Sequence, residues 1–437
     1  MTLGRPMTSD PSVAAMPSHP AYFAILVAIT CARGVVPGAI NYLFEVHTSS
    51  NVADSVSRHA LSQQSANVLS LALGVWCLVA IAKSRHVLSG NFLNFALVAS
   101  FPIFFLVSDL LRGTLSPAHL LDYLLALIVF AAIWACKPGL DQLKILGTAG
   151  AAVASYSILF GIFEPSHAFF GDSLGRIGGS TKALIGNDQL AGVFGHSNTL
   201  GIYVALLLPF SFLIKKVPLR LALICTMTFS IVWSSSRSSL VAVGATVIVI
   251  IVFSRLGDTT RRALSTLIFI VILGAIALIP MLTTDPAAFT RRGAIWIGSF
   301  EEWARNPLFG SGLEWYSAVA QFRNDLGLQA SSGHNLFVSW LVSGGLALAG
   351  LGTWFVAYLT RRASQVQMTK HFAAVTGFMT MLLVISLFEY IWVFSPNGEL
   401  FLPVGFTLAA LLWATNRNST AGTEVVYASP NITSRVG

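Results

Sequence analysis

The sequence predicts an all-α polytopic membrane protein with about twelve transmembrane helices. Of its 437 residues, 55% are hydrophobic and only 10% charged, with a mean hydropathy of +0.73. A soluble globule does not tolerate that balance. Apolar runs of about 16 to 24 residues recur along the whole chain, each near the length that carries a helix across ~30 Å of hydrocarbon. Lysines and arginines gather in alternate connections, the pattern of cytoplasmic loops.

Residues 1–20, rich in Pro, Ser, Thr and Met, read as a disordered cytoplasmic tail. The first span, 21–44, is too long and too late for a cleaved signal and is retained. It carries Arg33 beside Gly34 and Pro37-Gly38. The next four spans fall at 67–82, 92–108, 119–136 and 145–163. A Gly-rich connection, 164–198, leads to 199–214. The spans 219–234 and 238–253 are separated only by the serine-rich corner Ser234–Ser239. After 263–282 comes a polar stretch, 283–335, and then 336–359, 372–394 and 400–414. The transmembrane domain is thus 21–414, followed by a polar cytoplasmic tail, 415–437.

Lys83/Arg85, Lys137/Lys144, Lys215/Lys216, Arg255/Arg261/Arg262 and Arg361/Arg362/Lys370 mark five cytoplasmic loops. An even number of helices then leaves both termini inside and places 164–198, the serine corner and 283–335 outside. The formal charge of +8 is largely this asymmetry and calls for no nucleic-acid partner. Cys31, Cys77, Cys136 and Cys225 fall in or at the end of apolar runs, at no metal or redox spacing. No internal repeat supports an inverted-repeat transporter. A lipid-linked oligosaccharide transporter would also place ionisable groups near mid-membrane on several helices.

The candidate site residues are basic and gather on the outer side. Arg237 sits in Ser-Ser-Ser-Arg-Ser-Ser, where a guanidinium near hydrocarbon needs a partner or a wet cavity; the structural alternative is a snorkelling side chain at a tight hairpin. Arg291 and Arg292 precede an amphipathic stretch predicted to lie along the membrane surface with Trp296, Phe300 and Trp303 buried. Both arginines equally suit anchoring at headgroups. His334 immediately precedes the tenth helix, whose free N–H groups attract anions and lower an imidazole pKa. A neutral His334 can accept a proton, although a capping histidine gives the same pattern. His196 stands just outside the sixth helix, where Ser197 or Asn198 suits the cap. Arg176 and Lys182 lie in the Gly-rich run before it, and Arg33 is a further intramembrane cation that either snorkels or lines the same cavity.

No Asp-x-Asp pair stands in an outer loop, and neither a His/Cys cluster nor a nucleotide-binding fingerprint occurs. Glu301-Glu302 read as surface carboxylates, Glu301 with Arg305 one turn on. The site is therefore read as cation-rich, with no metal and no cofactor. Cationic side chains can stabilise a departing diphosphate as a divalent ion does elsewhere.

Four motifs in order then carry a resemblance: Gly-x-Phe-Gly-His-Ser-Asn-x-Leu-Gly at 192–201, the corner around Arg237, Arg292-x-x-x-Trp296 with Asn306-Pro-Leu-Phe-Gly-Ser-Gly312, and Gly333-His-Asn-Leu-Phe337. Together they resemble the O-antigen ligase and polymerase superfamily over residues 190–345, while the first five helices match only in hydropathy. The resemblance implies a GT-C type glycosyltransferase fold with a large periplasmic loop between the ninth and tenth helices, in the bacterial inner membrane. It implies a glycan donor carried on undecaprenyl diphosphate and an inverting transfer without metal. By position, Arg237, Arg292 and His334 match the family's catalytic residues, and Arg291 has no counterpart. His196-Ser197 stands where family members often show a small polar residue and proline. Chain length and compact loops favour a ligase that delivers the glycan to lipid A-core; the alternative is a polymerase using the same donor. His196, Asn198, Arg176, Lys182, Arg291 and Arg33 are expected to assist in substrate binding.

Overall fold

The computed structural model describes residues 20–45, 59–84, 92–171, 180–318, 332–366 and 371–424. The helices are α1 (Pro20–Phe44), α2 (Ala60–Lys83), α3 (Phe92–Arg112), α4 (Pro117–Cys136), α5 (Lys144–Phe163), the single turn α6 (Pro165–Ala168), α7 (Ser197–Leu207), α8 (Val217–Ser234), α9 (Arg237–Ser254), α10 (Asp258–Leu282), α11 (Ala288–Arg305), the single turn α12 (Trp315–Ala318), α13 (Leu336–Val366), α14 (Phe372–Phe388) and α15 (Thr407–Glu424). Strands β1 (Phe169–Phe170) and β2 (Gln189–Leu190) pair antiparallel, with Phe170 opposite Gln189.

Among the described residues, nine helices are long and apolar enough to cross a membrane: α1 to α5, α8, α9, α10 and α13. Three shorter apolar helices, Ser197–Leu213, Phe372–Phe388 and Leu402–Thr415, coincide with the other three expected spans. Hydropathy misses helix ends because it registers apolar content and not backbone continuity. Thus α2 begins at Ala60, seven residues before its apolar run, where the His59 side chain accepts a hydrogen bond from Leu61 N. Likewise α13 runs on to Val366 and α15 to Glu424, beyond the expected start of the tail. The reverse holds for the eleventh span, expected over 372–394. Its helix stops at Phe388, and Glu389 is extended. The tails 1–19 and 425–437 lie outside the described residues.

Two of the shorter apolar helices, α7 and α14, occupy the centre. In α14 every residue from Ala374 to Ser386 is buried, and in α7 every residue from Leu200 to Leu207. A helix apolar on all sides belongs inside a bundle. Around this pair, α9, α10 and α13 pack on α14, and α5 and α8 on α7; α1 to α4 form an adjoining group, with α15 between α3, α4 and α13. Outer helices expose large apolar side chains such as Leu71, Ile248 and Ile270, as a lipid-facing surface does. Local sequence fixes where the helices begin. Pro117 opens α4, with the Ser116 hydroxyl accepting from His119 N at 3.1 Å.

Within the stretch 283–335, the described residues include a docked helix, α11. α11 turns Trp296 into the protein, 1% exposed, where its indole N–H donates to Gly333 O at 3.0 Å. Phe300 and Trp303 pack partly buried against the main apolar cluster. The amphipathic face therefore packs on protein, where a membrane-surface helix was expected. Glu302, and not Glu301, meets Arg305, at 3.1 Å; it is buried and also accepts from the Ser311 hydroxyl.

The motif Asn306–Gly312 fills a break in α13. Gly345 has φ +62°, which interrupts the helix. The freed N–H groups of Leu346 and Ala347 donate to Pro307 O and Leu308 O at 2.9 and 3.1 Å, and Ser311 N donates to Val342 O at 2.6 Å. A Cβ at Gly345 would lie 2.5 Å from Phe309 N, with the Leu308 carbonyl group closer still. Replacing Gly345 with Ala should therefore cost more than the ~1–2 kcal/mol of left-handed strain alone. Gly350→Ala, on the same helix with open space around it, should be neutral or stabilising by about 0.5–1 kcal/mol. Thermal unfolding of both variants in one detergent checks the opposite signs.

Candidate functional site

Three helix ends line one cavity: α7 and α9 begin there and α14 ends there, so two N-termini with positive dipole ends face it. The residues before α13 approach it through the contact of His334 with Glu389. The cavity, about 340 Å³, is lined by Phe170, Lys182, Gln189, His196, Asn198, Ser235, Arg237, Ser238, Phe289, Thr290, Arg292 and Glu389, among others.

The serine corner explains how Arg237 gets there. Ser235 takes a left-handed conformation (φ +55°) and ends α8, while Ser236 opens α9. Small hydroxyls satisfy the tight reversal locally: Ser234 donates to Ile231 O at 2.8 Å, Ser236 and Ser239 share a bond of 2.8 Å, and Leu184 N donates to Ser235 Oγ at 3.0 Å. Gly201 of α7 lies so close to this corner that a Cβ would stand 2.8 Å from Ser234 Oγ. Arg237 is the one long side chain of the corner. It is exposed, lines the cavity, and has no hydrogen-bond or ion-pair partner among the described residues.

Arg292 reaches the cavity through a sharp turn. Phe289, Thr290 and Arg291 have φ of 52°, 59° and 71°, a conformation unfavourable for L-residues. Phe289 and Thr290 line the cavity, whereas Arg291 is exposed and does not. The Arg292 guanidinium donates to Phe388 O and, at 2.7 Å, to Glu389 Oε1. The other carboxylate oxygen, Oε2, lies 3.1 Å from His334 Nδ1. Glu389 thus joins Arg292 to His334, and His334 meets the cavity through this carboxylate. Burial pushes the Glu389 carboxyl up, but the His334 hydrogen bond and the Arg292 charge outweigh it and hold the group below the usual range.

His334 itself has φ +43°. It is not the cap of α13: Asn335 Oδ1 accepts from Val338 N at 3.1 Å, while Asn335 Nδ2 donates to Ile276 O and Leu387 O at 3.0 and 3.1 Å. This amide fastens α13 to α10 and α14 and sets the approach of His334 to Glu389.

On the α7 side the cap is His196, where Ser197 or Asn198 was expected. Its Nδ1 accepts from Asn198 N at 3.0 Å, so Nε2 carries the proton. The cavity walls desolvate the ring and, with Lys182 and His334 nearby, lower its pKa against the opposing charge of Glu389. His196 is therefore a neutral donor near pH 7. Lys182 and the Asn198 side chain also line the cavity.

Of the other expected residues, Arg176 lies outside the described residues. Arg33 does not line the cavity. It is 8% exposed and donates to Ser70 Oγ at 2.7 Å and to Asn397 Oδ1. The same segment is held by Asp122, which accepts from the Ser395 hydroxyl and from Asn397 N. Arg33 thus secures the segment that begins with Glu389. Glu389 was missed because it was absorbed into the expected span 372–394. Its signal is an acidic residue in the apolar context Phe388-Glu-Tyr-Ile-Trp392, where an unpaired carboxylate is costly.

Nine candidate spans and a cation-lined cavity at converging helix ends define a multi-pass membrane protein with a site suited to an anionic substrate. Residues 222–351 match the family model described as O-antigen ligase. The matched stretch contains Arg237, Arg292 and His334; Lys182, His196, Asn198 and Glu389 lie outside it. No curated protein matches the chain.

A carboxyl held below its ordinary pKa stabilises the fold above the unfolded value, and this stabilisation drains away as pH falls from about 4.3 through the folded value. Glu389→Gln should lower stability at pH 7 by about 2 kcal/mol. It should also flatten the acid limb: below about pH 4.3 the wild type should lose stability more steeply than the variant. Parallel profiles in pH-dependent thermal unfolding would contradict this coupling.

Proposed function

We propose that the protein is an O-antigen ligase. It transfers a glycan from undecaprenyl diphosphate to lipid A-core on the periplasmic face of the inner membrane, with inversion and without a metal. The observation that carries this reading is that Arg292, joined to His334 through Glu389, shares one cavity with Arg237, which has no partner among the described residues. A diphosphate supplies the negative charge such a cavity favours. Residues 283–335 serve as the periplasmic element of a GT-C type fold with twelve spans.

The Glu389 carboxylate, accepting from His334 Nδ1–H, selects the tautomer in which Nε2 carries the lone pair. As the acceptor hydroxyl attacks the anomeric carbon, Nε2 takes its proton, and Glu389 stabilises the imidazolium that forms. The bond between the anomeric carbon and the diphosphate oxygen breaks, and its electron pair stays on that oxygen. Arg237, which has no carboxylate partner among the described residues, balances the developing charge most directly. Arg292 divides its donors between Phe388, Glu389 and the substrate; Lys182 and His196 Nε2–H add cationic and neutral donors. The arginine set supports stabilisation of the departing diphosphate without a metal.

The test is a reconstitution of the purified protein in lipid with EDTA, an undecaprenyl-diphosphate glycan and lipid A-core. Glycan should appear on lipid A-core; longer glycans still on undecaprenyl diphosphate would establish a polymerase instead. Arg237→Ala should lower the rate by about 10²–10³-fold and His334→Ala by about 10²–10⁴-fold. An Arg237→Ala, Arg292→Ala double variant that inserts normally and retains wild-type transfer would overturn the assignment.

A further inference from the structure

The β1–β2 hairpin has no part in the chemistry above, yet it forms one wall of the cavity. Its cross-strand partners Phe170 and Gln189 both line the space. The half-buried Phe170 ring lies 4.4 Å from the His196 ring, at 50° between planes. Gln189 is 8% exposed, and its orientation is set by Ser197, whose hydroxyl donates to Oε1 at 3.1 Å. With the carboxamide oxygen engaged by α7, the NH₂ end is the donor available to the cavity. Beside it, the Asn198 side chain lines the cavity with no protein partner among the described residues.

The cavity therefore has walls of two chemistries. Arg237, Arg292 and Lys182 supply cations. The hairpin supplies an aromatic face and the Gln189 carboxamide, and the start of α7 supplies the Asn198 carboxamide. A diphosphate belongs with the cations, whereas a ring with an apolar C–H face and neutral oxygens fits an aromatic surface edged by amide donors and acceptors. Such a site also discriminates strongly, because a carboxamide left without its hydrogen bond is penalised.

We infer that Phe170, Gln189 and Asn198 recognise the sugar joined directly to the diphosphate, and that this sugar is an uncharged pyranose. Its C–H face packs on Phe170, and its hydroxyl or acetamido oxygens accept from Gln189 Nε2 and pair with Asn198. This rests on the reading that the donor is a diphosphate-linked glycan.

The experiment measures the affinity of the purified full-length protein in nanodiscs for two probes. One is undecaprenyl diphosphate, and the other is the same lipid bearing a single N-acetylhexosamine. The wild type should bind both, and the glycosylated probe more tightly. Phe170→Ala, Gln189→Ala and Asn198→Ala should each weaken binding of the glycosylated probe by about 10-fold or more and leave binding of the bare diphosphate unchanged. Asn198→Ala removes a side chain with no hydrogen-bond partner among the described residues, so it decides the matter even where a hairpin variant fails to fold. Unchanged affinity for the glycosylated probe, or equal losses for both probes, would overturn the inference. A wild type that binds neither probe would overturn the donor assignment beneath it.

Discussion

The site depends on one carboxylate. Glu389 lies between a guanidinium and an imidazole, buried at the point where α14 ends, and contacts both. A charge in that position is tolerable only because it is paired twice and hydrogen-bonded on both oxygens. The consequence runs both ways: the His334 hydrogen bond and the Arg292 charge keep the acid ionised, and the acid fixes the histidine tautomer and the arginine fork.

The rest of the fold keeps that carboxylate in place. The chain leaves α14 at Glu389 and is caught again at Ser395 and Asn397 by Asp122 and Arg33, so the segment is anchored at both ends. Asn335 ties α13 to the last turn of α14, which sets where His334 can reach. The Asn306–Gly312 loop occupies the break at Gly345, and Trp296 bonds to Gly333, so α11 cannot shift without disturbing α13. Central α7 and α14 are short because their ends form the site instead of crossing it, and the N-termini of α7 and α9 make the resulting cavity favourable to anions.

Much of this was legible in the sequence. Composition and apolar spacing identify a polytopic helical protein, and Ser-Ser-Ser-Arg-Ser-Ser places Arg237 at a tight corner because only small hydroxylated residues reverse the chain there. Arg292 could be separated from Arg291 only through its spacing to Trp296; the physical reason, a left-handed turn that sends one arginine inward and leaves its neighbour outside, has no local signature. Glu389 was hidden for a different reason. A single acid does not break an apolar run in hydropathy, and its partners lie 55 and 97 residues away in sequence. Arg33 shows the opposite error, since an intramembrane cation is as easily a fastener as a ligand, and only the positions of Ser70 and Asn397 decide which.

The most direct test of the coupling through Glu389 is a double-mutant cycle on glycan transfer, combining Glu389→Gln with His334→Ala in protein of confirmed fold. If the carboxylate acts by holding and charging the imidazole, removing it should slow transfer substantially in the wild-type background and far less once His334 is gone, so the two losses should be strongly non-additive. Losses that simply multiply would mean that Glu389 and His334 work independently, and the account of a coupled pair would fail.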